Sequence, residues 1–174
     1  GKEKGKMNIE HSTLNIQHRM KKNEYDLKKI SAYFAMHGDF ISSEPYGSGH
    51  INDTFAVHFN QAGARVKYIF QRINSNIFKE PAKLMDNINR VLEHLDKHPR
   101  GEKDDCSREK LTLVKTKDSL PFLLDSGGNY WRVYLFIEKA KTYDVLENSR
   151  QAYEAAKAFG RFQSALSSLP QPRL

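Results

Sequence analysis

Residues 46–52 read Tyr46-Gly47-Ser48-Gly49-His50-Ile51-Asn52, and the fold turns on what flanks them. Two glycines this close permit a tight turn and let backbone N–H groups approach phosphate oxygens. In dinucleotide-binding and P-loop proteins such a loop opens a helix. Here both flanks have strand composition, residues 40–46 before the loop and residues 51–59 after it, with Ile51, Phe55 and Val57 available to one face. The loop therefore joins two strands. The same glycines also suit a plain hairpin turn, so the order of the remaining elements has to decide between the two readings.

Downstream, Asn60-Gln61-Ala62-Gly63 has hairpin composition and residues 66–73 return as a third strand. Pro81 stands where a first helical turn begins. Leu84, Met85, Ile88, Val91, Leu92 and Leu95 then recur at spacings of three and four, an amphipathic helix that closes before Pro99. Residues 100–109 are a charged, exposed connection. Residues 111–115 alternate as a half-buried strand, and two further strands, 121–124 and 131–137, flank the turn Asp125-Ser126-Gly127-Gly128-Asn129. A linker over 139–148 leads to a helix over 149–167. On that helix Ala152, Ala155, Ala156, Phe159, Phe162 and Leu166 form one apolar stripe.

Upstream, Asp26 caps a helix over 26–37, with Leu27, Ile30, Phe34 and Tyr33 on its apolar face and Gly38 as its stop. Strands in hairpin succession with one inserted helix predict an α+β fold on an antiparallel β-sheet, not a parallel one.

Composition bounds the function. The 174 residues carry a formal charge of +7, but residues 1–30 hold eight Lys and Arg against four acids. More than half of the excess thus sits in or beside a flexible basic tail, residues 1–23. Nucleic acid is an unlikely partner on this reading, since no recognition motif or aromatic platform accompanies the charge. No apolar run approaches the ~20 residues of a membrane span. Cys106 is the only cysteine, so no internal disulfide forms and a cytoplasmic location is expected. No metal site is expected, because the histidines are scattered and Cys106 stands alone.

The order of elements matches the small lobe of a kinase fold, and the wording of the sequence goes further. Residues 44–55 (EPYGSGHINDTF), 68–74 (YIFQRIN), 84–88 (LMDNI) and 131–138 (WRVYLFIE) resemble the N-acetylhexosamine 1-kinases, some relatives of which have been labelled mucin desulfatases. These belong to the aminoglycoside phosphotransferase and choline kinase superfamily. The likeness runs over about residues 42–169, with Ala158-Phe159-Gly160-Arg161-Phe162-Gln163 resembling the first large-lobe helix. It implies a protein-kinase-like N-terminal lobe over 24–138, then a hinge and the start of a truncated helical large lobe over 139–174.

The resemblance implies that Gly47, Ser48, Gly49, His50 and Asn52 cover the phosphates of ATP. It also implies a phosphate-binding side chain on the third strand, commonly Lys or Arg. The matched position is Gln71, which donates hydrogen bonds without charge. Arg72 has the charge but alternates to the opposite face, so both remain candidates. Backbone groups around Glu138 and Lys139 would pair with the adenine edge. An acid on the following helix usually partners the strand cation; Asp86 and Glu93 are the available residues. Trp131 and Tyr134 read as core.

Kinase-fold phosphotransferases take their base from a His-x-Asp loop with Asn five residues beyond, and hold magnesium with a later Asp. His94-Leu95-Asp96 imitates the triplet, but it ends a helix and is followed five residues on by Gly101. The expectation is the ATP-binding part of a sugar kinase that phosphorylates an N-acetylhexosamine at its anomeric hydroxyl. Magnesium and base would come from residues absent here, leaving this fragment inactive alone. The alternative is a non-catalytic nucleotide- or partner-binding module. The apolar stripe over 149–167 predicts self-association.

Overall fold

The computed structural model describes residues 25–47, 49, 51–97, 111–140, 143 and 145–170. The expected basic tail, the charged connection, Cys106, Ser48 and His50 lie outside the described residues. Asp26 caps α1 (Leu27–Ser31), accepting from Lys29 N at 2.9 Å. The chain then runs through β1 (Asp39–Pro45), β2 (Asp53–Gln61), β3 (Ala64–Ile73), α2 (Pro81–Lys97), β4 (Leu113–Val114), β5 (Leu123–Leu124), β6 (Tyr130–Leu135) and α3 (Ser149–Leu166). The strands form one six-stranded sheet in the order β1-β2-β3-β6-β4, with β5 also paired to β6. All five pairings are antiparallel, so the protein is α+β with α2 inserted between the strands. Among the described residues no helix is long and apolar enough to cross a membrane.

The β2–β3 turn forms because Ala62 and Gly63 both take left-handed backbone, φ 51° and 88°, which matches the twist of a two-residue hairpin. Asn60 steadies it by accepting from Gly63 N at 2.9 Å. At the same end of the sheet Gly38 has φ 91°, and a Cβ there would fall 2.1 Å from the Asn60 carbonyl oxygen. Gly38 is therefore required by close backbone approach as well as by its dihedral.

α1 is shorter than the 26–37 helix expected from the sequence. After Ala32 the chain pairs with a distant segment. Phe34 bridges Thr116, Ala35 N donates to Lys115 O at 2.9 Å, and Lys117 N donates to Tyr33 O at 2.9 Å. These contacts satisfy backbone groups that a longer helix would have satisfied locally, and they seat Phe34 in the core while Tyr33 stays exposed.

The core lies between α1 and one face of the sheet. Leu27, Ile30 and Phe34 meet Phe55, Val57 and Phe59 of β2, Tyr68 and Phe70 of β3, and Trp131 and Val133 of β6. Phe55 and Val57 are buried as the alternation predicts, but Ile51 precedes β2 and is exposed. Trp131 is fully buried and its indole N–H donates to Asp125 Oδ2 at 2.8 Å. The Asp125 carboxylate also accepts from the backbone of Gly127 and Asn129, and so folds the β5–β6 turn. α2 meets the opposite face at Met85, whose Sδ lies 3.9 Å from Arg132 Nη1; of its apolar series only Met85 is buried and the rest are half-buried.

Candidate functional site

The α2 side of the sheet carries the residues that the sequence singles out, and register decides which. Thr54 lies opposite Gln71, and Gln71 opposite Arg132, so these three side chains form a row across β2, β3 and β6. Gln71 Nε2 donates to Thr54 Oγ1 at 3.1 Å, and Arg132 Nε donates to Gln71 Oε1 at 3.0 Å. Arg132 Nη1 reaches Met85 Sδ at 3.9 Å, which places the row beneath α2.

Arg72 points the other way, as strand alternation requires. Its guanidinium donates to Asp53 Oδ2 through Nε at 2.8 Å and Nη2 at 2.6 Å, and it lies 5.4 Å from the centre of the Tyr25 ring. Tyr25 packs on Phe55 and Trp131. Arg72 thus belongs to the α1 side, and of the two candidates only Gln71 shares a face with α2.

Gly47 has φ 78°, and neither Gly47 nor Gly49 has an atom within 4 Å of where a Cβ would stand. Asn52 Oδ1 accepts from Asn74 N at 3.0 Å and ties the loop to the end of β3. Tyr46, whose N–H donates to Thr54 O at 2.9 Å, stands edge-on to Phe136 at 5.7 Å between ring centres. Lys67 Nζ lies 3.9 Å above the same Phe136 ring. The first residue of the loop therefore contacts the segment just beyond β6, which continues to Glu138 and Lys139. Both are exposed, and Lys139 has φ 58°.

The two helix acids do not reach this row. Asp86 is exposed on α2. Glu93 accepts from Lys115 Nζ at 2.9 Å and from Asn89, and these bonds, Lys115 foremost, hold its carboxyl below the usual range. His94 is buried, with Nε2 3.1 Å from Ala165 O and 3.2 Å from Ser168 Oγ. His94 of the His94-Leu95-Asp96 triplet thus holds the end of α3 against α2. Among the described residues no group of three His, Cys, Asp or Glu is placed to hold a metal ion.

Arg132 is the residue that sequence reasoning passed over. Its signal was the alternation in Trp131-Arg132-Val133-Tyr134, which puts a charge on the face opposite the buried Trp131. Burial pushes the Tyr134 phenol above its ordinary pKa, with the nearby Arg132 charge working against the rise. The chain matches no model of a known protein family.

Proposed function

We propose that this chain is the nucleotide-binding lobe of an ATP-dependent small-molecule phosphotransferase. In this reading it is a sugar kinase acting on the anomeric hydroxyl of an N-acetylhexosamine. One observation carries the reading. The glycine-bearing β1–β2 loop projects from an antiparallel sheet, and its Tyr46 touches Phe136 just before residues 137–140. In this reading the phosphate loop stands at the end of the strands where Asp53 pairs with Arg72, the base-edge segment leaves from the other end, where Tyr68 pairs with Leu135, and the Tyr46 ring spans the distance between them.

In this arrangement the amides of Gly47 and Gly49 face the phosphates, while backbone groups near Glu138 and Lys139 meet the adenine edge. The segment around Glu138 and Lys139 acts as hinge, and α3 as first helix, of a larger lobe. Magnesium, when bound, neutralises charge shared between the outer phosphates; the described residues supply no ligand set for it, so base and metal ligands come from that lobe. The test is an ATP titration followed by amide NMR. Shifts at Gly47, Gly49, Gln71 and residues 136–139 are expected; shifts confined elsewhere at millimolar ATP would reduce the glycine loop to a turn.

The non-catalytic reading has its own observation. α3 has no buried residue, and Phe159 and Phe162 are 62% and 43% exposed. For the chain alone, the same stripe on a second copy is the simplest cover.

A further inference from the structure

In the nucleotide reading Gln71 stands at the third-strand position of a phosphate-binding cation, and its amide brings no charge. The nearest cation on the same face is one strand away. Arg132 is the register partner of Gln71, half-buried, with its guanidinium carbon 5.5 Å from the centre of the Tyr134 ring. Among the described residues its only hydrogen-bond partners are Gln71 Oε1 at 3.0 Å and the Met85 thioether at 3.9 Å. Among the described residues no carboxylate pairs with it, whereas Arg72 is paired with Asp53 and Lys115 with Glu93. A charge drawn out of water without a counter-charge is costly, and an anionic ligand removes that cost. The planar guanidinium fork suits phosphate oxygens in particular.

A second observation aims this cation. Arg132 spends Nε on Gln71, Gln71 donates to Thr54 Oγ1 at 3.1 Å, and Thr54 Oγ1 donates to Asn52 O at 3.5 Å. Two side chains, Gln71 and Thr54, thus link the guanidinium to the base of the 46–52 loop and fix its orientation. The terminal nitrogens meet no protein oxygen among the described residues and remain available.

We propose that Arg132 on β6 supplies the phosphate-binding charge that Gln71 lacks, with Gln71 as its positioning residue. The identification of the ligand as ATP rests on the nucleotide reading above; the claim that Arg132 receives a polyphosphate does not.

Binding of ATP, adenosine and tripolyphosphate to the wild-type chain, Arg132→Met, Arg132→Gln and the double variant Gln71→Lys/Arg132→Met tests it. Removing one charge-assisted contact should weaken ATP and tripolyphosphate by about tenfold to a hundredfold and leave adenosine within about twofold. Moving the charge to β3 in the double variant should recover most of the loss. Arg132→Gln serves should Arg132→Met unfold, because it removes the charge and keeps an amide against Gln71. Equal ATP affinity in wild type and the charge-removed variants overturns the inference and leaves the nucleotide reading standing. Arg132-dependent tripolyphosphate binding with no adenosine binding supports the inference and defeats the nucleotide reading. If the wild type binds none of the three ligands, both are overturned.

Discussion

Arg72 and Asp53 face each other across the β2–β3 ladder, Nη2 to Oδ2 at 2.6 Å, with side chains 28% and 17% exposed. Two donors of one guanidinium converge on a single carboxylate oxygen, and the pair seals the edge of the core beside Tyr25. Their role is to hold the sheet together, on the face away from α2.

Arg72→Met should therefore lower stability by about 1–2 kcal/mol, the range of a partly screened charged hydrogen bond. ATP affinity should stay within about twofold in the same variant. Urea unfolding of Arg72→Met, Asp53→Asn and the double variant gives the coupling; additive losses would mean that the pair contributes no interaction of its own.

The Asp125 turn sets a pH dependence. Burial raises its carboxyl, but hydrogen bonds from Asn129, the Trp131 indole and Gly127 together outweigh burial and hold it below its ordinary value. A depressed folded-state pKa contributes stability above the unfolded value, about 3.9, and loses it as pH falls through the folded value. The advantage of wild type over Asp125→Asn should accordingly be full near neutrality and shrink in acid. Trp131, the only tryptophan, reports it by fluorescence in denaturant series at several pH values.

Gly38→Ala and Gly47→Ala separate two uses of glycine. Both have left-handed φ, but a Cβ at Gly38 meets the Asn60 carbonyl oxygen at 2.1 Å while one at Gly47 meets nothing. Gly47→Ala should cost only the backbone term, about 1–2 kcal/mol. Gly38→Ala should cost more, because the β1–β2 ladder itself has to shift. Thermal unfolding of the two variants side by side checks the order.

For α3 the expected outcome is reversible dimerisation in the sedimentation of the wild-type chain, abolished in Phe159→Glu and Phe162→Glu. Each large side chain left in water forgoes about 1.5–3 kcal/mol of burial, which favours pairing. A wild type that is monomeric at high concentration, with α3 still protected from hydrogen exchange, would end this reading.

Local chemistry made much of the fold legible. The glycine turn at Ala62-Gly63, Pro81 at the first turn of α2 and the Asp125 hairpin each act within a few residues, so their elements stand where periodicity put them. α3 matches its expected span almost to the residue. α1 does not, because Phe34 answers to Thr116 and not to its helical neighbours. β4 and β5 shrank to two residues each, since little of the neighbouring chain finds a ladder partner. Alternation separated Gln71 from Arg72 by face, but only the packing of Tyr25 and Met85 says which face is which. Arg132 was invisible as a partner of Gln71 because the contact spans 61 positions, and register between remote strands is not written locally.

That span also orders assembly in time. β1, β2 and β3 follow one another through short connections, so their ladders close at small entropic cost. β6 can join β3 only after α2 and the segment beyond it have been brought round. Mutations along the β2–β3 hairpin should consequently slow refolding, whereas those at the Gln71–Arg132 pair should chiefly speed unfolding. The row of side chains beneath α2 would then be among the last parts of the native molecule to exist and the first to come apart.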